Sequence, residues 1–186
     1  MDTMMTERLL IRYFTREDSE DLFDYMSREE MVRYEPFGPF SRTDAIKEAT
    51  RRATDEKYMA VCLKNEKGRN EKMIGELYLG MREPAELSTW EIRFVFHPHY
   101  QSEGYEREAC KALLDYAFAE RKVRRLVAKC SPENRPFWLI LERLGFRREG
   151  RFRENIYYKR GAGDEPIWVD TMEYGLLKNE YNNTLG

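Results

Sequence analysis

The stretch Phe94-Val95-Phe96-His97-Pro98-His99-Tyr100-Gln101-Ser102-Glu103-Gly104-Tyr105-Glu106-Arg107-Glu108-Ala109 decides how this chain folds. It starts as an apolar strand, turns through a Gln-x-x-Gly loop, and opens an amphipathic helix. The first turn of a helix leaves N–H groups unpartnered, and the helix dipole adds positive potential at that end. Strand, tight loop and helix start in this order make an anion pocket, suited to a phosphate or pyrophosphate.

On the N-terminal side, Tyr58–Leu63, Met73–Leu79 and Thr89–Phe96 read as strands of an antiparallel meander, the first two joined by a polar turn at Asn65–Asn70. Further upstream Arg8–Phe14 reads as a strand, and Thr15 with Asp18 caps a helix with Leu22, Phe23 and Met26 at helical spacing. Two prolines and a glycine turn the chain at Tyr34–Phe40, after which Ser41 and Asp44 start a second helix running to about Ala53. Ala45, Ile46 and Ala49 are its expected buried stripe.

On the C-terminal side, the helix opened at Gly104 runs to about Arg121 with Ala109, Leu113, Tyr116 and Ala117 inward. Arg125–Cys130 is a short strand, and a helix from about Pro136 to Arg143 stops at Gly145. Phe146–Asn155 and Ile167–Leu177 form a closing hairpin around Arg160–Asp164. Residues 1–186 thus read as a single α/β domain of the α+β kind. Its mixed, mostly antiparallel twisted sheet has about seven strands and helices on both faces.

Composition narrows the function. The chain has 186 residues, 41% hydrophobic and 35% charged, with 32 Lys and Arg against 34 Asp and Glu. A net charge of -2 gives no bulk attraction to nucleic acid or an acidic membrane surface. Cys62, Cys110 and Cys130 are odd in number, lack metal-ligand spacing and lie in apolar settings, as buried free thiols do. His97 and His99 have no companion ligands, so no metal site is expected. Met1–Glu7 lacks the basic and apolar regions of a signal peptide, and no apolar run nears the roughly 20 residues that span a bilayer. A cytoplasmic protein without membrane or nucleic-acid partners is expected.

The order of elements resembles the GNAT superfamily of acyl-CoA-dependent N-acyltransferases over nearly the whole chain. It is most similar to the branch containing ribosomal-protein N-terminal acetyltransferases. The likeness is carried by Thr6-Glu7-Arg8-Leu9-Leu10-Ile11-Arg12, by Ile74-Gly75-Glu76-Leu77, and by Glu91-Ile92-x-Phe94-Val95-Phe96-x-Pro98-x-Tyr100-Gln101-x-x-Gly104-Tyr105. Asn134 followed by Leu144-Gly145-Phe146 and Glu149-Gly150, then Trp168-x-Asp170 and Tyr174, complete it.

This resemblance implies a GNAT fold whose sheet splays between the fourth and fifth strands. It implies acetyl-CoA as cofactor, with the main chain of Phe94, Val95 and Phe96 holding the pantetheine arm. The loop and helix start, Gln101, Ser102, Glu103, Gly104, Tyr105, Glu106 and Arg107, would hold the pyrophosphate. Asn134 would fix the pantetheine or a water, or else cap the following helix. The implied reaction is acetyl transfer to a primary amine, by direct attack in a ternary complex. Glu91 is the preferred base, working through a water, unless it is simply an exposed strand carboxylate paired with Arg93 or Arg82. Glu76 is a lesser candidate. Tyr34, Glu35, Tyr78 and Tyr157 would surround a cationic acceptor amine, chosen by the Tyr34–Phe40 loop and the hairpin near Arg160–Pro166. The acceptor stays open between a protein N-terminus and a small-molecule amine such as an antibiotic or an amino acid, and the assembly between monomer and homodimer.

The chain departs from the family in two places. Ser102, Glu103 and Glu106 stand where many relatives have glycine, a basic or neutral residue, and a small residue. A carboxylate roughly 6 Å from a phosphate charge costs on the order of 2–3 kcal/mol at an effective dielectric near 20. A carboxylate in a helix's first turn also suits the dipole and can simply face water. In addition, the family's hydroxyl positions after Asn134 fall on Phe137 and Leu141, so no general acid carries over. A thiolate leaving group, from a thiol of pKa about 8.5, manages without one. A non-catalytic acyl-CoA binding or sensing module is the alternative that these departures keep open.

Overall fold

Alternation along Tyr58–Lys64 sends Met59 and Val61 to one side of the sheet and Ala60 and Cys62 to the other. All four are buried, so the strand has a core on each face. One core joins Leu9, Ile11, Leu77 and Ile92 to Ala109, Leu113 and Leu141. The other joins Leu22, Tyr25, Met26 and Ala49 to the opposite face. Helices therefore cover both faces, as expected.

The computed structural model describes residues 3–65 and 70–184, so residues 66–69 of the expected polar turn lie outside it. The order along the chain is β1 (Met4–Met5), β2 (Leu9–Tyr13), α1 (Ser19–Met26), α2 (Arg42–Arg52), β3 (Tyr58–Lys64), β4 (Asn70–Met81) and β5 (Thr89–Phe96). It continues with α3 (Tyr105–Asp115), β6 (Arg125–Cys130), α4 (Arg135–Arg143), β7 (Arg147–Arg160), β8 (Pro166–Leu177) and α5 (Lys178–Thr184). One sheet takes the order β1-β2-β3-β4-β5-β6-β8-β7, eight strands where about seven were expected. The extra one is β1, which pairs Met4 with Ile11 and Met5 with Leu10 and is too short to show any alternation. The expected fourth and fifth strands are therefore β5 and β6. No helix among the described residues is long and apolar enough to cross a membrane.

Local chemistry explains most boundaries. Asp18 accepts the Thr15 amide at 2.7 Å and a two-pronged pair from Arg12, closing a capping box before α1. Ser41 and Asp44 do the same for α2. The inward stripe of α2 differs from expectation. Ala45 and Ala49 are buried, but Ile46 is 54% exposed and Arg52 takes the inward place at 5%. Positions 45, 49 and 52 share one face of a helix, whereas 46 lies about 100° round from 45.

Thr6 and Arg8 owe their place in the opening motif to Glu108. Its carboxylate accepts the Thr6 hydroxyl at 2.5 Å, the Arg8 amide at 2.9 Å and Arg8 Nε at 2.7 Å. The first turn of α3 is thereby pinned to the start of β2. Gly75 is required by crowding, since a Cβ there would lie 2.6 Å from the Phe96 ring and the Val95 carbonyl. Beyond Asp115 the third helix widens into a π turn over Tyr116–Glu120. The closing hairpin is longer than its expected first strand, because β7 continues to Arg160 against β8.

Candidate functional site

β5 and β6 run parallel and pair only at Thr89–Arg125, Trp90–Leu126 and Glu91–Val127. Beyond that point they diverge, leaving the main chain of residues 92–96 without a strand partner on the β6 side. The resulting fork opens into a cavity of about 1050 Å³. Phe94 and Phe137 stack across it with ring centroids 4.2 Å apart, so α4 closes one side. Phe94, Val95, Phe96, Asn134 and Phe137 all line the cavity. Asn134 Oδ1 accepts the Phe137 amide at 3.4 Å, so its side chain is the cap of α4.

At one end the cavity reaches Gln101 and Glu106. Gln101 donates to the Phe96 carbonyl at 3.1 Å, tying the loop to the strand end. Ser102 and Gly104 both adopt positive φ, 70° and 81°, which curls the loop toward the start of α3. Ser102, Glu103, Gly104 and Arg107 are exposed at the rim, and Tyr105 is half-buried with Arg8 4.2 Å above its ring. These five lie beside the cavity wall and are not part of it. A left-handed serine stores roughly 1–2 kcal/mol. Ser102→Gly is therefore expected to raise stability by about 0.5–1 kcal/mol, once glycine's extra unfolded-state freedom is deducted, read as an increase in Tm.

Glu106 does not face water. It is buried at 9% exposure in the first turn of α3, beside the amides an anion would use. Burial pushes that carboxyl above its ordinary value. The cause is positional: two residues after Gly104, the side chain points back over the first turn toward the fork.

The other end is built by the α1–α2 loop, the C-terminal half of α2, β4, β5 and β7. Glu91, Glu76, Tyr78, Tyr34 and Glu35 all line it, so the structure gathers every residue expected on this side except Tyr157. Tyr157 packs edge-on against Trp168 at 5.2 Å outside the cavity, and its strand neighbour Tyr158 lines the wall instead. The hairpin tip at Arg160–Pro166 is likewise outside, because β7 carries it past the rim.

Both oxygens of Glu91 are engaged, by Arg82 Nε and Arg93 Nε, each at 3.4 Å. Arg93 also lies 4.1 Å over the Tyr78 ring, and Tyr78 meets Tyr58 edge-on at 5.0 Å. Glu76 is buried; its Oε2 accepts the Tyr25 hydroxyl at 3.0 Å and pairs closely with Arg52. Burial opposes the charge on Arg52, but Glu76, Tyr25 and Glu48 outweigh it and hold the guanidinium above its ordinary value. Tyr34 donates to the Glu133 carbonyl at 3.1 Å, bracing the loop against the residue before the α4 cap.

Glu35 differs from these. Among the described residues no hydrogen bond or ion pair reaches its carboxyl. Burial, then Glu76, push it above its ordinary value, against Arg93 and Arg52. Burial and Glu35 in turn raise the Tyr158 phenol. Arg52 and Tyr158 were not singled out from the sequence. The available signals were helix position 52 in line with 45 and 49, and the strand alternation that puts 158 opposite 157. Cys130, expected buried, is half-buried and lines the fork, and burial pushes its thiol up to about 12.

The family model of the acetyltransferase (GNAT) domain matches residues 8–147. The uncharacterized N-acetyltransferase YnaD of Bacillus subtilis is 36% identical over 183 residues, covering 95% of this chain and 98% of that protein. A GNAT-family acetyltransferase structure from Bacillus anthracis superposes with a TM-score of 0.83 at 33% identity, covering 96% and 99% of the two chains. The spermidine N-acetyltransferase of Vibrio cholerae, solved with CoA and spermine, has the same fold: its TM-score is 0.73 at 18% identity, covering 96% of this chain and 100% of that one.

Proposed function

The chain belongs to the GNAT acetyltransferase family, and from that premise we propose that it moves the acetyl group of acetyl-CoA to a primary amine by direct attack in a ternary complex. The observation that carries the proposal is the fork: three paired residues, then two strands parting around a cavity that continues to both ends. A main-chain edge at residues 92–96 suits the amides of a pantetheine arm, which hydrogen-bonds as a strand does. The Gln101–Gly104 curl and the start of α3 suit its pyrophosphate. Acetyl-CoA supplies a thioester-activated acetyl group.

This chain's own residues do the rest. A backbone N–H of the free β5 edge, at Phe94 or Val95, polarises the carbonyl undergoing attack. The Phe94–Phe137 stack excludes water from the fork. Tyr34, Tyr78 and the carboxylates of the far end receive the amine, and a carboxylate there takes its proton. Cys130 lines the same fork, yet a thiol that titrates at about 12 is protonated at neutral pH, which disfavours an acetyl-cysteine intermediate and favours direct transfer.

Purified protein with acetyl-CoA and a panel of alanyl peptides, spermidine and small aromatic amines is expected to release free thiol with at least one acceptor. Thiol release should require the acceptor and leave one acetyl group on it for each thiol. Tight CoA binding with no release on any acceptor would instead indicate a binding or sensing module.

A further inference from the structure

Seven carboxylates line the cavity, and six of them are committed elsewhere or lie away from the acceptor amine. Glu91 is ion-paired through one oxygen to Arg82 and through the other to Arg93, each at 3.4 Å. Glu76 accepts Arg52 and Tyr25, and Glu48 is taken by Arg51 and Arg52. Asp44 closes the capping box of α2. Glu30 is exposed at the rim, and Glu106 sits at the opposite end beside the phosphate loop. Glu35 alone is half-buried and carries no hydrogen bond or ion pair among the described residues.

We infer that Glu35, on the loop joining α1 to α2, is the base that takes the proton from the acceptor amine. This deepens the acetyltransferase reading and rests on it. The amine arrives as an ammonium, which the Glu35 carboxylate and the aromatic faces of Tyr34, Phe37 and Tyr158 attract together. One proton passes from nitrogen to a Glu35 oxygen. The nitrogen lone pair then bonds the acetyl carbonyl carbon, the C–S bond breaks, and its electron pair leaves on sulfur. The proton held by Glu35 and the second amine proton go to solvent, and the thiolate is protonated from it.

The charged groups facing Glu35 are Glu76 from β4, Arg52 from α2, Arg93 from β5 and Tyr158 from β7. Burial and Glu76 raise its affinity for a proton, which suits a base that must accept one and release it near neutrality. Arg93 restrains that rise, and Glu91 fixes Arg93, so Glu91 is a positioning residue in this scheme.

The test compares Glu35→Gln, Glu35→Asp and Glu91→Gln in the thiol-release assay across pH, with CoA affinity by calorimetry as a check of folding. Glu35→Gln is expected to lower kcat/KM for the acceptor about 100- to 1000-fold at pH 7 with CoA affinity unchanged. It should also abolish the acid limb assigned to the raised carboxyl, so that the rate climbs toward the amine's own pKa, about 8 for an α-amine. Glu35→Asp should restore part of the rate, and Glu91→Gln should keep the acid limb. A wild-type pH profile in Glu35→Gln, an equal loss at every pH, or loss of the acid limb in Glu91→Gln instead would overturn the inference and leave the acetyltransferase reading intact. A wild-type protein that turns over no acceptor would overturn both.

Discussion

Replacing Glu106 with alanine is expected to tighten coenzyme A binding by about ten- to a hundredfold. The wild-type carboxyl is buried in the first turn of α3 and lines the cavity. A diphosphate entering the curl at Ser102–Gly104 meets a like charge. Two charges of one sign at roughly 6 Å cost on the order of 2–3 kcal/mol at an effective dielectric near 20, which sets the upper end of the gain. Losing the favourable dipole contact of an N-terminal carboxylate returns only about 0.3–1 kcal/mol, and that is a term in folding more than in binding.

The same group gives the affinity a pH dependence of definite sign. Burial raises the carboxyl, so it becomes neutral at a higher pH than an exposed glutamate. Wild-type affinity should therefore improve as pH falls toward that titration, and Glu106→Gln should be tight and flat. Dephospho-CoA is the ligand of choice, because a phosphate monoester itself titrates near pH 6 and would mimic the effect. Calorimetric affinities for Glu106→Ala equal to or weaker than wild type would show that the carboxylate does not oppose the ligand.

Arg52→Met should cost about 3–5 kcal/mol of stability, since it strands the buried Glu76 without its cation. For a chain of this length that is a Tm lower by roughly 6–20 °C. Exposed pairs such as Arg42–Glu20 should cost under about 1 kcal/mol when broken, because water screens them. The double variant Arg52→Met/Glu76→Met should recover most of the loss, leaving the Tyr25 hydroxyl as the remaining unsatisfied group. Differential scanning calorimetry separates the cases. A single variant as stable as wild type would mean that water reaches Glu76.

The sequence made the strands of the sheet and the loop before α3 legible because their signals are local: alternation, capping boxes and the Gln-x-x-Gly turn. The fork was expected only through the resemblance to the GNAT family. The capping residues Thr15 and Ser41 and the glycines at 75 and 104 have the places their patterns indicate. Polar residues that face inward were hidden. Arg52 ends a highly charged helix and reads as solvated, and only the packing of α2 against Tyr25 and Glu76 turns it inward. Glu106 reads as a dipole-friendly surface carboxylate for the same reason. The two-residue strand β1 has no periodicity at all; pairing alone defines it. Within the site, the residues named through the family resemblance line the cavity, but their pairing was not legible. That Arg82 and Arg93 pair with Glu91 while no cation pairs with Glu35 among the described residues depends on their three-dimensional reach.

Parting β5 from β6 also creates a hazard familiar from open sheets. Two raw strand edges inside the molecule are templates for pairing with another chain. Here the Phe94–Phe137 stack shields one edge, and the Tyr34 loop, latched to Glu133, overhangs the opening. Loosening that latch, as in Tyr34→Ala, would bare the edges, and the damage would surface first as concentration-dependent clumping on storage without ligand.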